Sequence, residues 1–146
     1  MEQRIKIQDV QPAAWKAMYG LETYLASTEV SKTHKELIKI RASQINACAF
    51  CIDLHTTDAI KNGETTKRIF LLNAWKETDI FSEEEKVVLA IAEEITLIHL
   101  GGLSDKTYQK AKTIFSESYI AQLIMVAVTI NAWNRIAIST QLPVAH

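Results

Sequence analysis

Glycine and proline are scarce in this chain of 146 residues, with four of the first and two of the second. Sandwiches and barrels need a turn every eight to twelve residues or so, so the shortage argues against an all-β fold. No segment alternates apolar and polar side chains for long, and that removes the other strand signal. Charge of one sign is also missing. Sixteen Lys and Arg stand against 17 Asp and Glu, for a net charge of −1, and no basic run occurs. Nucleic acid is therefore not an expected partner. Met1-Glu2-Gln3-Arg4-Ile5-Lys6 has no apolar stretch of the signal-peptide kind. The longest strongly apolar run, near Tyr119 to Ile130, is shorter than the roughly 20 residues of a membrane span and carries Gln122 and Thr129. A cytoplasmic protein with no membrane partner is expected. Cysteine is limited to Cys48 and Cys51. In a reducing compartment such a pair is more often catalytic or metal-binding than a permanent staple.

What is present is helical spacing. The chain is 48% hydrophobic and 23% charged, which argues against disorder. Its length suits one compact domain, here residues 1–146. Pro12 suits the first turn of a helix whose apolar positions are Ala14, Trp15, Met18, Leu21 and Leu25. A second helix, from near Ser31, puts Leu37, Ile38, Arg41, Ala42 and Ile45 on one side. A third carries the cysteines and stops at Asn62-Gly63, a common left-handed terminator. Glu64 to Trp75 forms a fourth. Ser82-Glu83-Glu84-Glu85 is a capping box for the fifth, which carries the stripe Val88, Ile91, Ile95, Ile98 and ends at Gly101-Gly102. Ser104-Asp105 opens a sixth helix to about Phe115, and Ser118 opens the last, to about Ile138. The predicted fold is all-α, with six or seven helices. The last helix is apolar almost all round from Tyr119 to Ile130 and is expected to be buried on every side, with help from a second subunit.

The chemistry-bearing segment is Cys48-Ala49-Phe50-Cys51-Ile52-Asp53-Leu54-His55. On a helix, residues three and four apart share a face, so Cys48, Cys51 and His55 form one stripe of two thiols and an imidazole. With Asn46 as the expected N-cap, the cysteines fall in the first turn. There, unpaired N–H groups and the helix dipole favour a thiolate. His55 lies four residues past Cys51, a rise of about 6 Å, and seven past Cys48, about 10.5 Å. That asymmetry assigns Cys51 as the His-assisted nucleophile and Cys48 as the resolving thiol. The opposite order, with Cys48 attacking first, stays open, because the dipole favours Cys48 too. Cβ atoms three apart on a helix lie about 5–6 Å apart, close enough for a disulfide after a slight adjustment of the first turn.

Other readings compete. Structural zinc would use both thiols and His55, with His34, His99 or His146 as a fourth ligand, yet the second Cys-x-x-Cys or His-x-x-x-His of such sites is missing. Two buried apolar cysteines beside a surface histidine would need no chemistry. Covalent haem needs His where Ile52 stands, and no strand–helix–strand pattern supports a thioredoxin fold. No cofactor is expected. Trp15, Trp75 and Trp133 occupy apolar helical positions suited to core or subunit contacts. His34 and His99 are expected on the surface or a helix flank. Asp58, one turn beyond His55, either orients the imidazole or faces solvent.

Glu36-Leu37-Ile38-Lys39-Ile40-Arg41-Ala42-Ser43-Gln44-Ile45-Asn46, the thiol motif, and His55-Thr56-x-Asp58-Ala59 together resemble the carboxymuconolactone decarboxylase/AhpD-like family, in its alkylhydroperoxidase AhpD-core branch. The likeness is strongest from about Glu36 to Trp75 and extends through Phe81-Ser82-x-x-Glu85 to Asn131-Ala132-Trp133-Asn134-Arg135. It implies a helical fold assembled as a homo-trimer or homo-hexamer. It also implies thiol-dependent reduction of a hydroperoxide and regeneration by an external dithiol or protein reductant. By resemblance Cys51 is the peroxidatic cysteine, Cys48 the resolving one, and Glu36 with His55 a proton-relay pair. The characterised AhpD peroxidases carry a histidine just before the second cysteine; this chain has Phe50, which offers apolar surface and no proton transfer. The lactone-decarboxylating branch generally lacks the paired cysteines, so that activity is not expected. A redox-sensing or stress-response module that uses the same disulfide as a switch is the alternative function.

Overall fold

The computed structural model describes residues 2–144. Among the described residues there are eight α-helices and no strand. They are α1 (Ile7–Val10), α2 (Pro12–Ser27), α3 (Lys32–Ile45), α4 (Ala49–Lys61), α5 (Thr66–Leu71), α6 (Glu83–Thr96), α7 (Asp105–Lys112) and α8 (Glu117–Thr140). Short 3₁₀ segments follow α5 and α6, at Leu72–Glu77 and Ile98–Leu100.

Serine caps set four of the eight helix starts. The hydroxyls of Ser31, Ser82, Ser104 and Ser116 accept from the N–H groups of His34, Glu85, Thr107 and Tyr119. Ser82 and Glu85 close a full capping box. α4 ends as Asn62-Gly63 predicts: Gly63 has φ 95°, its N–H donates to Ile60, and that of Glu64 donates to Ala59. This is the two-bond pattern that a left-handed residue permits.

α3 is the central helix, packed against α4, α6 and α8. Its two faces serve two apolar clusters. Ile38 and Ala42 join Cys48, Cys51, Val88, Ile91, Leu123, Ala127 and Ile130. Leu37 and Ile40 join Ala59, Leu72, Trp75, Phe81 and Leu89. Charged side chains that reach the core are paired. Glu93 accepts from Arg41, Trp75 Nε1 and Lys76 at 2.7–2.8 Å. Arg68 bridges Glu64 and Glu85 and lies over the ring of Phe81.

Several expectations need correction. The predicted Glu64–Trp75 helix is α5 from Thr66 to Leu71 followed by a 3₁₀ segment, inside which Ala74 leaves helical geometry. α6 stops at Thr96, so Ile98 falls outside the stripe and is exposed. α8 starts after Ser116, two residues before the predicted Ser118. At 24 residues it is long and apolar enough to cross a membrane by length and composition alone, yet it packs on α2, α3, α6 and α7 within the protein. Within a single subunit it is not buried on every side, which leaves the expected help from a second subunit untouched. Ile120, Leu123, Val126, Ala127 and Ile130 are buried, whereas Val128 is 42% and Ile138 46% exposed. A 3.6-residue period turns some side chains away from any one-sided core, whatever their polarity.

Candidate active site

The corner between α3 and α4 places the thiols. Asn46 is the C-cap of α3, Ala47 takes a left-handed φ of 56°, and Cys48 is the N-cap of α4. The expectation that Asn46 caps the cysteine helix is thus corrected. The N–H of Asn46 is still bound to Ala42, so the residue closes the preceding helix. Its amide instead donates to Oδ1 of Asn131 (2.9 Å) and of Asn134 (2.8 Å) on α8. Asn134 donates on to Ser43 Oγ, and Asn131 to Thr96 Oγ1 and the Ala127 carbonyl. Among the described residues no buried side-chain N or O lacks a partner. This polar network ties the corner to α8, and sequence periodicity does not reveal it. The one hint is Asn131 and Asn134, two polar side chains inside the otherwise apolar α8.

The sulfurs of Cys48 and Cys51 are bonded to each other, with 5.4 Å between Cα atoms. Both cysteines are buried, at 1% and 3% exposure. His55, one turn past Cys51, is buried as well, which sets aside a surface role for it. Its Nδ1 lies 3.0 Å from Oε2 of Glu36, across the α3–α4 hairpin. A carboxylate can only accept, so this bond holds the ring proton on Nδ1 and leaves Nε2 as the second ring nitrogen for chemistry. The partner of the imidazole is therefore Glu36. Asp58, the other candidate, is paired with Lys61 at 3.7 Å.

Cys51 and His55 face one cleft of about 440 Å³, near the low end of the usual size for an organic ligand. Its walls include Trp15, Tyr19, Phe50, Leu54 and Trp133. Trp15, Tyr19 and Trp133 form a mutual cluster with centroids 5.1–5.7 Å apart. Trp133 is fixed further by its indole N–H, which donates to Glu22 at 2.9 Å. Two of the three tryptophans assigned to core or subunit contacts therefore line a cleft, and Trp75 alone is buried core. Their helical spacing is the same in either case, so only the packing of α2 on α8 distinguishes them.

His34 also departs from expectation. It is 9% exposed, its Nδ1 lies 2.8 Å from the Tyr119 hydroxyl, and its ring packs against Phe115. Burial pushes its pKa below the ordinary value, with Glu85 and Glu84 pulling the other way. His99 is exposed, as predicted, and His146 lies outside the described residues. Among the described residues no group of three or more His, Cys, Asp and Glu side chains is placed to hold a metal ion.

Residues 12–94 match the model of the carboxymuconolactone decarboxylase family. The chain belongs to that family. Over 95% of both chains it is 43% identical to the uncharacterized protein YdfG of Bacillus subtilis. The crystal structure of a protein of unknown function from Agrobacterium tumefaciens, proposed to be the antioxidant defence protein AhpD, superposes with a TM-score of 0.95. That match has 32% identity and covers 99% of each chain. An AhpD-core, peroxidase-related protein from Ralstonia eutropha shares the fold at a TM-score of 0.82 over 94% of this chain and 74% of its own, with 12% identity. The AhpD-like fold within the carboxymuconolactone decarboxylase family is thereby established for this chain.

Proposed function

We propose that this protein is a thiol-dependent peroxidase acting on hydroperoxides, with Cys51 as the peroxidatic cysteine. The observation that carries the reading is the cleft: it brings Cys51 and His55 to one surface, while Glu36 holds the imidazole from behind. In the reduced protein His55, oriented by Glu36, takes the Cys51 proton directly or through water. The thiolate attacks the terminal oxygen of the hydroperoxide, and the O–O bond breaks. The leaving oxygen takes up the proton and departs as an alcohol, or as water from hydrogen peroxide. Cys51 is then a sulfenic acid. Cys48 attacks its sulfur, water leaves, and the Cys48–Cys51 disulfide forms. An external dithiol reduces that disulfide by exchange. Phe50 supplies apolar wall where a histidine would supply a second proton carrier.

The finer parts of the reading belong to the same proposal: a cytoplasmic protein, one domain over residues 1–146, and a homo-trimer or homo-hexamer. The exposed Val128 and Ile138 on α8 support an assembly, and a monodisperse monomer by light scattering overturns it. The catalytic reading is tested by adding one equivalent of hydroperoxide to reduced protein and counting thiols by intact mass, with and without a dithiol. The wild type is expected to lose two thiols and to cycle when dithiol is present. Cys51→Ser is expected to consume peroxide at the uncatalysed rate. Equal rates for the two proteins remove Cys51 from the role. A single oxidation without turnover favours a redox sensor.

A further inference from the structure

We infer that one opening serves both halves of the thiol cycle, and that Cys51 is the sulfur attacked by the reducing thiol as well as the one that attacks the oxidant. The oxidising half rests on the function proposed above; the reducing half does not. Thiol–disulfide exchange requires a thiolate to approach a sulfur along the S–S axis, so access selects the sulfur that is attacked. Cys51 lines the aromatic cleft; Cys48 does not line it and is 1% exposed. Both sulfurs belong to the apolar cluster between α3, α6 and α8, so what separates them is that Cys51 alone also lines the cleft.

The leaving group agrees with this order. Cys48 is the N-cap of α4, a helix of 13 residues, and no side chain caps that end. A thiolate released there meets the free first-turn N–H groups and the positive end of the helix dipole, which stabilise it. The corner that carries it is held by Asn46, Asn131 and Asn134, so Cys48 stays where it is as the bond opens.

The step balances as follows. A thiolate RS⁻ enters the cleft and bonds to Cys51 Sγ; the Cys48–Cys51 bond breaks, and Cys48 leaves as a thiolate that takes a proton from solvent. With a dithiol, the second thiol then attacks the sulfur of R that is bonded to Cys51. Cys51 is released as a thiolate, and R leaves as its own disulfide. Two electrons and, net, one proton pass from the dithiol monoanion to the protein, which is left as the Cys48 thiol and the Cys51 thiolate. The usual expectation for a Cys-x-x-Cys protein, attack on the first and more exposed cysteine, is reversed here by the burial of Cys48.

The test starts from full-length protein oxidised with diamide, so it needs no peroxide chemistry. Benzyl mercaptan is added in excess, and the reaction is acid-quenched. Free thiols are capped with N-ethylmaleimide, and the peptide is fragmented between residues 48 and 51. The expected product carries the benzylthio group on Cys51 and maleimide on Cys48. The reverse placement overturns the inference. Reaction with an aromatic disulfide probe reads the same preference in single-thiol forms. Cys48→Ser, with Cys51 free, is expected to react about tenfold faster or more than Cys51→Ser, and equal rates overturn it. Leu54 lines the cleft and is 43% exposed. Leu54→Trp is expected to slow oxidation by an organic hydroperoxide and reduction by benzyl mercaptan by the same factor, about tenfold, with the melting temperature unchanged. A fall in only one of the two means two separate entrances. A protein inert to every peroxide that still carries its adduct on Cys51 loses the proposed function and keeps this route.

Discussion

His55 and His34 are equally buried, at 9% exposure each, and each holds an oxygen at hydrogen-bond distance from Nδ1. Everything else about them differs. His55 has a carboxylate behind it and a cleft with sulfur in front. His34 has a phenol behind it and the edges of Phe115 and Tyr119 around it. A phenol hydroxyl can donate or accept, so it imposes no tautomer; a carboxylate imposes one. Burial therefore does not make a histidine catalytic. What distinguishes the two regions is an acceptor that fixes the ring proton and a cleft shared with a sulfur.

The largest effect expected from this comparison is on peroxide consumption. Glu36→Gln keeps the shape but removes the charge that holds the proton on Nδ1. It is expected to slow thiol loss after hydroperoxide addition by about 10²-fold or more, the usual scale of a lost acid–base partner. His34→Gln, a comparable change in the other region, is expected to stay within about twofold of wild type. Stopped-flow measurement of both variants checks this. A large loss in His34→Gln, or none in Glu36→Gln, erases the distinction between the two histidines.

The second effect concerns the corner that holds the thiols. Asn134 is fully buried, accepts from Asn46 and donates to Ser43. Asn134→Ala leaves buried polar partners unpaired and is expected to cost about 1–3 kcal/mol in urea unfolding. An unchanged midpoint shows that the network is not what anchors α3 to α8.

The smallest effect is in pH dependence, and it singles out His34. Its folded pKa lies below the ordinary 6.5 because burial penalises the charged ring, against the pull of Glu85 and Glu84. As pH falls, the unfolded chain takes up the proton first. The stability contributed by the neutral ring is complete above 6.5 and is lost as pH falls through the lower folded value. Urea midpoints at about pH 7.5 and about pH 5.5 should therefore differ, and His34→Gln should narrow the gap. A gap of the same size in the variant assigns the loss elsewhere. Glu85 and Glu93 act with the same sign in more acid solution. Burial alone would raise them, but Arg68 with the Ser82 N–H for one, and Lys76, Trp75 and Arg41 for the other, hold both below 4.5. Their contribution is full above 4.5 and is lost as pH falls through the depressed values.

Much of the frame was legible because it is local. A serine before a helical run, a glutamate three residues on, or a glycine after one each act within a single turn. Ser31, Ser82, Ser104 and Gly63 accordingly do in the structure what their positions announce. Asn46 failed for a local reason of its own, since the corner is so short that one residue can be read as ending α3 or starting α4, and asparagine suits both ends. Glu36 carried no signal of its own within the chain. Only the family resemblance marked it, and 19 residues separate it from the ring it binds.

Apolar periodicity and capping chemistry were enough to make this chain helical and to put Cys51 and His55 one turn apart on α4, because both act over three or four residues, whereas Cys48 falls at the extended N-cap and leaves the predicted stripe. Which oxygen meets His55, which tryptophans leave the core to line a cleft, and why His34 is buried but lacks a thiol neighbour depended on how α2, α3, α4 and α8 pack. Those contacts join residues tens of positions apart, and helical spacing is the same whether a face meets another helix, a cleft or water.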